Sequence, residues 1–124
     1  MPNPDVRYDI SRVLSRQLAQ SRPATTPVAS IYTPGDGVEA VVKKVFICNQ
    51  SAGVATFDLY HDDDGATYDA TTQLYKDQTV GIGITRILDD DLYVDSSGNI
   101  AVRSAVTSAL TFTLYGDEAQ VRAR

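Results

Sequence analysis

The sequence predicts an all-β fold: an antiparallel β-sandwich, jelly-roll-like, preceded by an N-terminal arm with a short amphipathic helix. Three observations predict it. Apolar residues alternate with a period of two from Ala29 onward, and turn-forming clusters recur between the alternating runs. All five prolines fall before residue 35, so no later strand loses a backbone donor.

The arm comes first. Val6, Ile10, Val13, Leu14 and Leu18 fit one apolar stripe on a 3.6-residue period, which predicts a helix over about residues 4–20 with Asn3 as cap and Pro4 in its first turn. A helix of that length is marginal alone in water, so the stripe needs a surface to cover, on its own domain or on another subunit. Arg7, Arg12 and Arg16 accompany it, and together these eight residues are the candidate partner-binding set. The proline-bounded stretch 21–28 reads as a linker.

The β-sandwich domain is expected over residues 29–118, with a short basic tail at 119–124. VEAVVKKVFICN (38–49) and VATFDLY (54–60) read as half-buried strands. NIAVRS (99–104) and LTFTLY (110–115) alternate likewise, with Leu110, Phe112 and Leu114 inward and Thr111, Thr113 and Tyr115 outward, and the SAVTSA stretch is short enough for a hairpin. Weaker strands are expected at 73–77, 82–88 and 92–95. The VGIGI run (80–84) reads as a strand with one bare glycine face, suited to a bulge, a close backbone contact or a subunit surface.

Composition excludes several function classes. One histidine, His61, and one cysteine, Cys48, leave no disulfide framework and no multi-histidine metal site. His61 abuts Asp62, Asp63 and Asp64, an environment that favours imidazolium and disfavours a general base. Cys48 reads as a small buried apolar residue of a strand. The DDDG turn fails as an EF-hand, because aligning Gly65 with the loop glycine puts Tyr60 and Thr71 at ligand positions one and twelve. An improvised Ca²⁺ site between that turn and Asp89, Asp90 and Asp91 is the residual metal reading; the expectation is no cofactor and no enzyme activity.

Charge separates the ends from the body. Residues 1–22 carry four arginines against Asp5 and Asp9, residues 23–121 carry five cations against fourteen acids, and Arg122 and Arg124 close the chain. The net charge of −5 argues against nucleic acid as a partner. No apolar run approaches the ~18 to 20 residues of a membrane helix, and no leader pattern opens the chain, so a soluble, unprocessed protein made in a cytosol is expected. Seven tyrosines and no tryptophan suit a protein interface or, less directly, a sugar-binding face.

Three stretches carry a family resemblance: IYTPGDG (31–37), AVVKKVFICNQSAG (40–53) and NIAVRSAVTSALTFTLYGDE (99–118). The order of a Tyr-Thr-Pro-Gly turn, a valine-rich strand ending in Cys-Asn, and a final Leu-Thr-Phe strand ending in Gly-x-Glu resembles small virion proteins of tailed bacteriophages. The resemblance covers about residues 30–118 and leaves the arm, the DDDG turn and VGIGI outside. It implies a non-enzymatic structural protein of the virion, assembled in the host bacterial cytoplasm. The leading form is a capsid decoration or cement protein on the major capsid protein shell, a homo-oligomer with a trimer favoured. A neck or tail adaptor and a carbohydrate-binding module are the alternatives.

Overall fold

In a computed structural model, residues 13–120 are described and form nine strands, every pairing antiparallel. They are β1 (Val13–Ser21), β2 (Ala29–Tyr32), β3 (Val38–Asn49), β4 (Ala55–Asp62), β5 (Gln73–Val80), β6 (Thr85–Leu88), β7 (Leu92–Val94), β8 (Asn99–Ser104) and β9 (Leu110–Gln120). One sheet runs β1-β9-β3-β6, with β7 beside β6 on the same edge of β3; the other runs β2-β8-β4-β5. They are called here the first and second sheets.

The two sheets close over a single core. Ala40, Val42, Val45 and Ile47 of β3 and Leu110, Phe112 and Leu114 of β9 face Phe57 and Leu59 of β4 and Ile100 and Val102 of β8. Phe57 and Phe112 meet edge-on across the interior, ring centroids 6.1 Å apart. At one end of the sandwich Asn49, 1% exposed, ties the turn after β3 to the end of β5. Its amide donates to the Gly53 and Val80 carbonyls, each at 2.9 Å, and its oxygen accepts from the Ser51 N–H and hydroxyl. The Cys-Asn strand ending thus places a buried amide where strand β3 gives way to its turn.

The arm differs from expectation. Residues 13–20 are not helical: they lie within β1, paired with β9 from Val13↔Ala119 to Ser21↔Phe112 with a bulge at Leu18. The physical reason is the partner. Ser15 Oγ donates to Asp117 at 2.6 Å and the Gln20 amide to the Thr113 hydroxyl at 3.0 Å, cross-strand contacts about a hundred residues apart that no local window shows. Residues 4–12 of the expected helix lie outside the described residues. Among the described residues, sheet membership therefore includes Val13–Ser21, inside the stretch read as arm and linker.

Two connections also differ. Segment 105–109 is no hairpin, because β8 belongs to the second sheet and β9 to the first, so the chain arches over the core there. VGIGI is no strand either: β5 ends at Val80, and residues 81–84 form a turn in which the Ile84 N–H donates to the Gly81 carbonyl at 3.1 Å. Gly83, the third residue of this turn, takes φ +70°, a left-handed backbone that glycine allows. The turn leaves Ile82 and Ile84 at the surface, 57% and 54% exposed.

Candidate functional site

Outward-facing residues differ sharply between the two sheets. On the second sheet, Tyr60 points away from the core yet is buried, its ring against Tyr68 from the loop after β4, centroids 6.1 Å apart. Asp58 beside it is also buried, accepting the Asp77 N–H at 2.6 Å and lying 3.6 Å from Arg103 Nη1. Asp77 bends the chain over it with φ +48°, a conformation aspartate tolerates better than most residues.

The outer face of the first sheet carries apolar side chains that no described segment covers. Register places Phe46 of β3 between Thr113 of β9 and Ile87 of β6, and Cys48 between Thr111 and Thr85. Phe46 and Tyr115 meet edge-on at 5.5 Å. Around them lies a groove of about 530 Å³ lined by Lys44, Phe46, Cys48, Thr85, Thr113 and Tyr115. Tyr115 is 41% exposed in that lining, and Ile87, the β6 neighbour of Phe46, is 48% exposed. This face follows from the period of two: the same strands that send Val45, Ile47, Phe112 and Leu114 inward send these residues outward. Cys48 is half-buried there rather than in the core.

Of the predicted partner-binding residues, the four that are described, Val13, Leu14, Arg16 and Leu18, lie along β1 and do not share one face. Alternation along β1 sends Val13 and Leu14 to opposite sides, both exposed, while Leu18 at the bulge packs on the core. Arg16 lies 3.4 Å from Glu118, whose other carboxylate oxygen accepts the Tyr32 hydroxyl. Burial and then that bond hold the Tyr32 phenol well above the ordinary tyrosine range. Val6, Arg7, Ile10 and Arg12 lie outside the described residues. Sequence reasoning named Tyr115 as outward but missed Phe46, Ile87 and Tyr93, whose signal was their position opposite the buried residues of the same strands.

Acidic runs are spent on local structure. Asp62 accepts the Thr67 and Asp64 N–H groups, which hold its carboxyl below the ordinary aspartate range, and Asp69 is held low by Thr71. Asp89 pairs with Lys44, Asp91 lies 4.0 Å from Lys43, and Asp90 accepts the Tyr75 hydroxyl, raising that phenol. Lys43 is the extra residue of the β3 bulge between Val42 and Lys44, opposite the break between β6 and β7. Among the described residues no three His, Cys, Asp or Glu side chains converge to hold a metal ion. Buried Nε2 of His61 meets no hydrogen-bond partner among them, so neither a nucleophile nor an orienting group stands against that nitrogen.

No protein-family model and no curated protein sequence matches this chain. Among solved structures, it is similar to a chain in the structure of infectious bursal disease virus, Gx strain, with TM-score 0.48 and 8% identity over 89% of this chain and 32% of that one. A chain in the structure of the Gt strain of the same virus gives TM-score 0.44 and 11% identity over 90% of this chain and 33% of that one. The protein spans about a third of the length of these chains, and at such scores the likeness is a finding about shape that carries no functional argument.

Proposed function

We propose that the protein is a non-enzymatic structural component of a virion, and within that class a capsid decoration or cement protein of a tailed bacteriophage. It binds the major capsid protein shell as a homo-oligomer, with a trimer as the leading form. The observation that carries this reading is the uncovered outer face of the first sheet. An apolar ridge of Phe46, Ile87 and Tyr115 beside a groove is the composition of an interface core, and the sheet behind it is held rigid by the sandwich. Two further observations support it: the resemblance over residues 30–118, and the strand order. Strands β1-β9-β3-β6 facing β2-β8-β4-β5 follow the jelly-roll order, a fold that viral capsid domains use repeatedly. Fold alone assigns no function, so the face carries the argument and the fold only agrees with it.

Arm docking needs revision within this reading. Removing residues 1–27 deletes β1 and leaves β9 paired with β3 alone, so a shell-binding test of the arm stops at residue 12. The face itself is tested with Tyr115→Asp combined with Ile87→Asp in the full chain. Both side chains are exposed, and the melting temperature is expected to stay near that of the parent protein. Cosedimentation with shells stripped of this protein is expected to weaken about thirtyfold, the loss of roughly 2 kcal/mol that central aromatic contacts carry. Unchanged cosedimentation overturns the face as the binding surface.

A further inference from the structure

Register sets one end of the sandwich apart from both ends of the described chain. Val13 pairs with Ala119 and Val38 with Gln120 at one end, while Asn49 pairs with Leu110 and Ser21 with Phe112 toward the other. Segments 22–28, 50–54, 81–84 and 105–109 come together at that second end. Hydrogen bonds fasten them to one another. The Asn49 N–H donates to the Ile84 carbonyl at 2.9 Å, the Gln50 N–H to the Ala109 carbonyl at 2.8 Å and the Ser108 N–H to the Pro23 carbonyl at 2.8 Å, while Arg22 Nε donates to the Ser108 carbonyl at 3.0 Å. Four large apolar side chains nevertheless stand out from these segments: Ile82 and Ile84 are joined by Val54, 57% exposed, and Val106, 41% exposed. Strand β4 lies between β8 and β5, so Val54, one residue before β4, stands between Val106 and Ile82.

Charge singles out the same end. None of the fourteen acids of residues 23–121 falls in these four segments, Arg22 is their one charged residue, and they hold no aromatic residue. We propose that copies of this chain meet through this end, apolar tip against apolar tip. The proposal rests on the homo-oligomer of the function proposed above and names its contact surface. Each copy carries a net charge of −5, so an approach along the acidic loops at 62–64 or 89–91 sets carboxylates against carboxylates. At the acid-free end, copies bury Val54, Ile82, Ile84 and Val106 without that repulsion, and the same patch serves every copy gathered about a symmetry axis. Because the segments are already fastened together, little order has to be gained on contact. A lipid surface is the poorer occupant: segments that settle in a bilayer interface present tryptophan, tyrosine or several basic residues, and these present one arginine tied to Ser108. Four apolar side chains are few against the roughly 20 to 30 residues a side of a standard interface, so the association is reversible and falls in the micromolar range.

Sedimentation velocity of the full chain tests this, measured from low to high micromolar concentration for the parent, for Ile82→Asp with Val106→Asp, and for Tyr115→Asp with Ile87→Asp. The parent is expected to sediment faster as its concentration rises. Added salt is expected to tighten the association severalfold, because screening weakens the repulsion between acidic bodies and leaves the apolar contact in place. Ile82→Asp with Val106→Asp is expected to weaken it at least tenfold at an unchanged melting temperature, both side chains being exposed. Ile82→Ser alone, which adds no charge, is expected to weaken it severalfold. The Tyr115 and Ile87 variant is expected to associate as the parent does. A parent chain that stays monomeric throughout overturns the proposal, and so does association that is unchanged by the substitutions at Ile82 and Val106, abolished by those at Tyr115 and Ile87, or weakened by salt. A monomeric chain that floats with phosphatidylcholine vesicles assigns the end to a lipid surface and overturns it too. Shell cosedimentation is read separately, so a chain that binds shells yet stays monomeric removes this contact and leaves the shell-binding face standing.

Discussion

Gly116→Ala is expected to lower stability by more than about 4 kcal/mol, outside the range of ordinary overpacking. Gly116 sits in β9 between two partner strands, paired with Arg16 on one side and Val42 on the other, beside the β3 bulge. A Cβ there would overlap the Val41 carbonyl oxygen and lie 2.9 Å from its carbon and 3.0 Å from the Val42 Cα. All three atoms are backbone of the central strand of the sheet, so relief requires β3 to move against β9, with the β6 and β7 pairings on its far edge. The expected fall in melting temperature is about 15 °C or more for a chain of this size. Gly83 and Gly35, whose added Cβ meets nothing within 4 Å, provide the contrast; at Gly83 only the positive φ resists substitution. A Gly116→Ala protein that melts with the parent would show that β9 and β3 are not packed as described.

Phe112→Ala is expected to cost about 3 to 5 kcal/mol in a denaturant titration, with a lower midpoint and an unchanged slope. Phe112 is fully buried, pairs with Ile47 and Ser21 along the first sheet, and meets the Phe57 ring from the opposite sheet. Its removal leaves a cavity between rigid layers that cannot collapse onto it. Three residues along the same strand, Tyr115 faces outward, and Tyr115→Ala is expected to change stability by less than about 1 kcal/mol. The ratio of the two effects reads out which face of β9 is core. Equal costs would contradict the assignment of the outer face as uncovered.

Where burial is decided by alternation within one strand, the sequence was legible. Strands β3 and β8 run over the residues that their alternation delimits, and Leu110, Phe112 and Leu114 point inward as their spacing requires. Strand β1 was illegible for a definite reason. Leu14, Arg16, Gln17, Leu18, Ala19 and Gln20 are good helix formers, and Val13 is its one β-branched residue. Pairing with β9 overrides that local preference through Ser15–Asp117 and Gln20–Thr113, contacts that exist only once the chain ends meet. VGIGI misled in the opposite sense, since its alternation imitates a strand while Gly83 supplies a turn. The candidate face was half legible: Tyr115 was recognised as outward, but that Phe46 and Ile87 join it depends on the β9-β3-β6 order, which no spacing within a strand encodes.

That face also distinguishes the proposed function from its competitors. The exposed tyrosines Tyr93 and Tyr115 lie at opposite ends of the first sheet, while Tyr32 and Tyr60 are buried and Tyr75 is tied to Asp90, so the described tyrosines do not form one sugar-binding platform. The proposed shell-binding surface is instead the apolar cluster of Phe46, Ile87 and Tyr115 on the outer face of the first sheet. Electron cryomicroscopy of intact particles carrying this protein tests the claim most directly. The account predicts density for the sandwich repeated on the shell lattice, with Phe46, Ile87 and Tyr115 turned toward the capsid or a neighbouring copy. Density confined to the neck or tail axis, or a first sheet whose outer face looks into solvent on the shell, would contradict it.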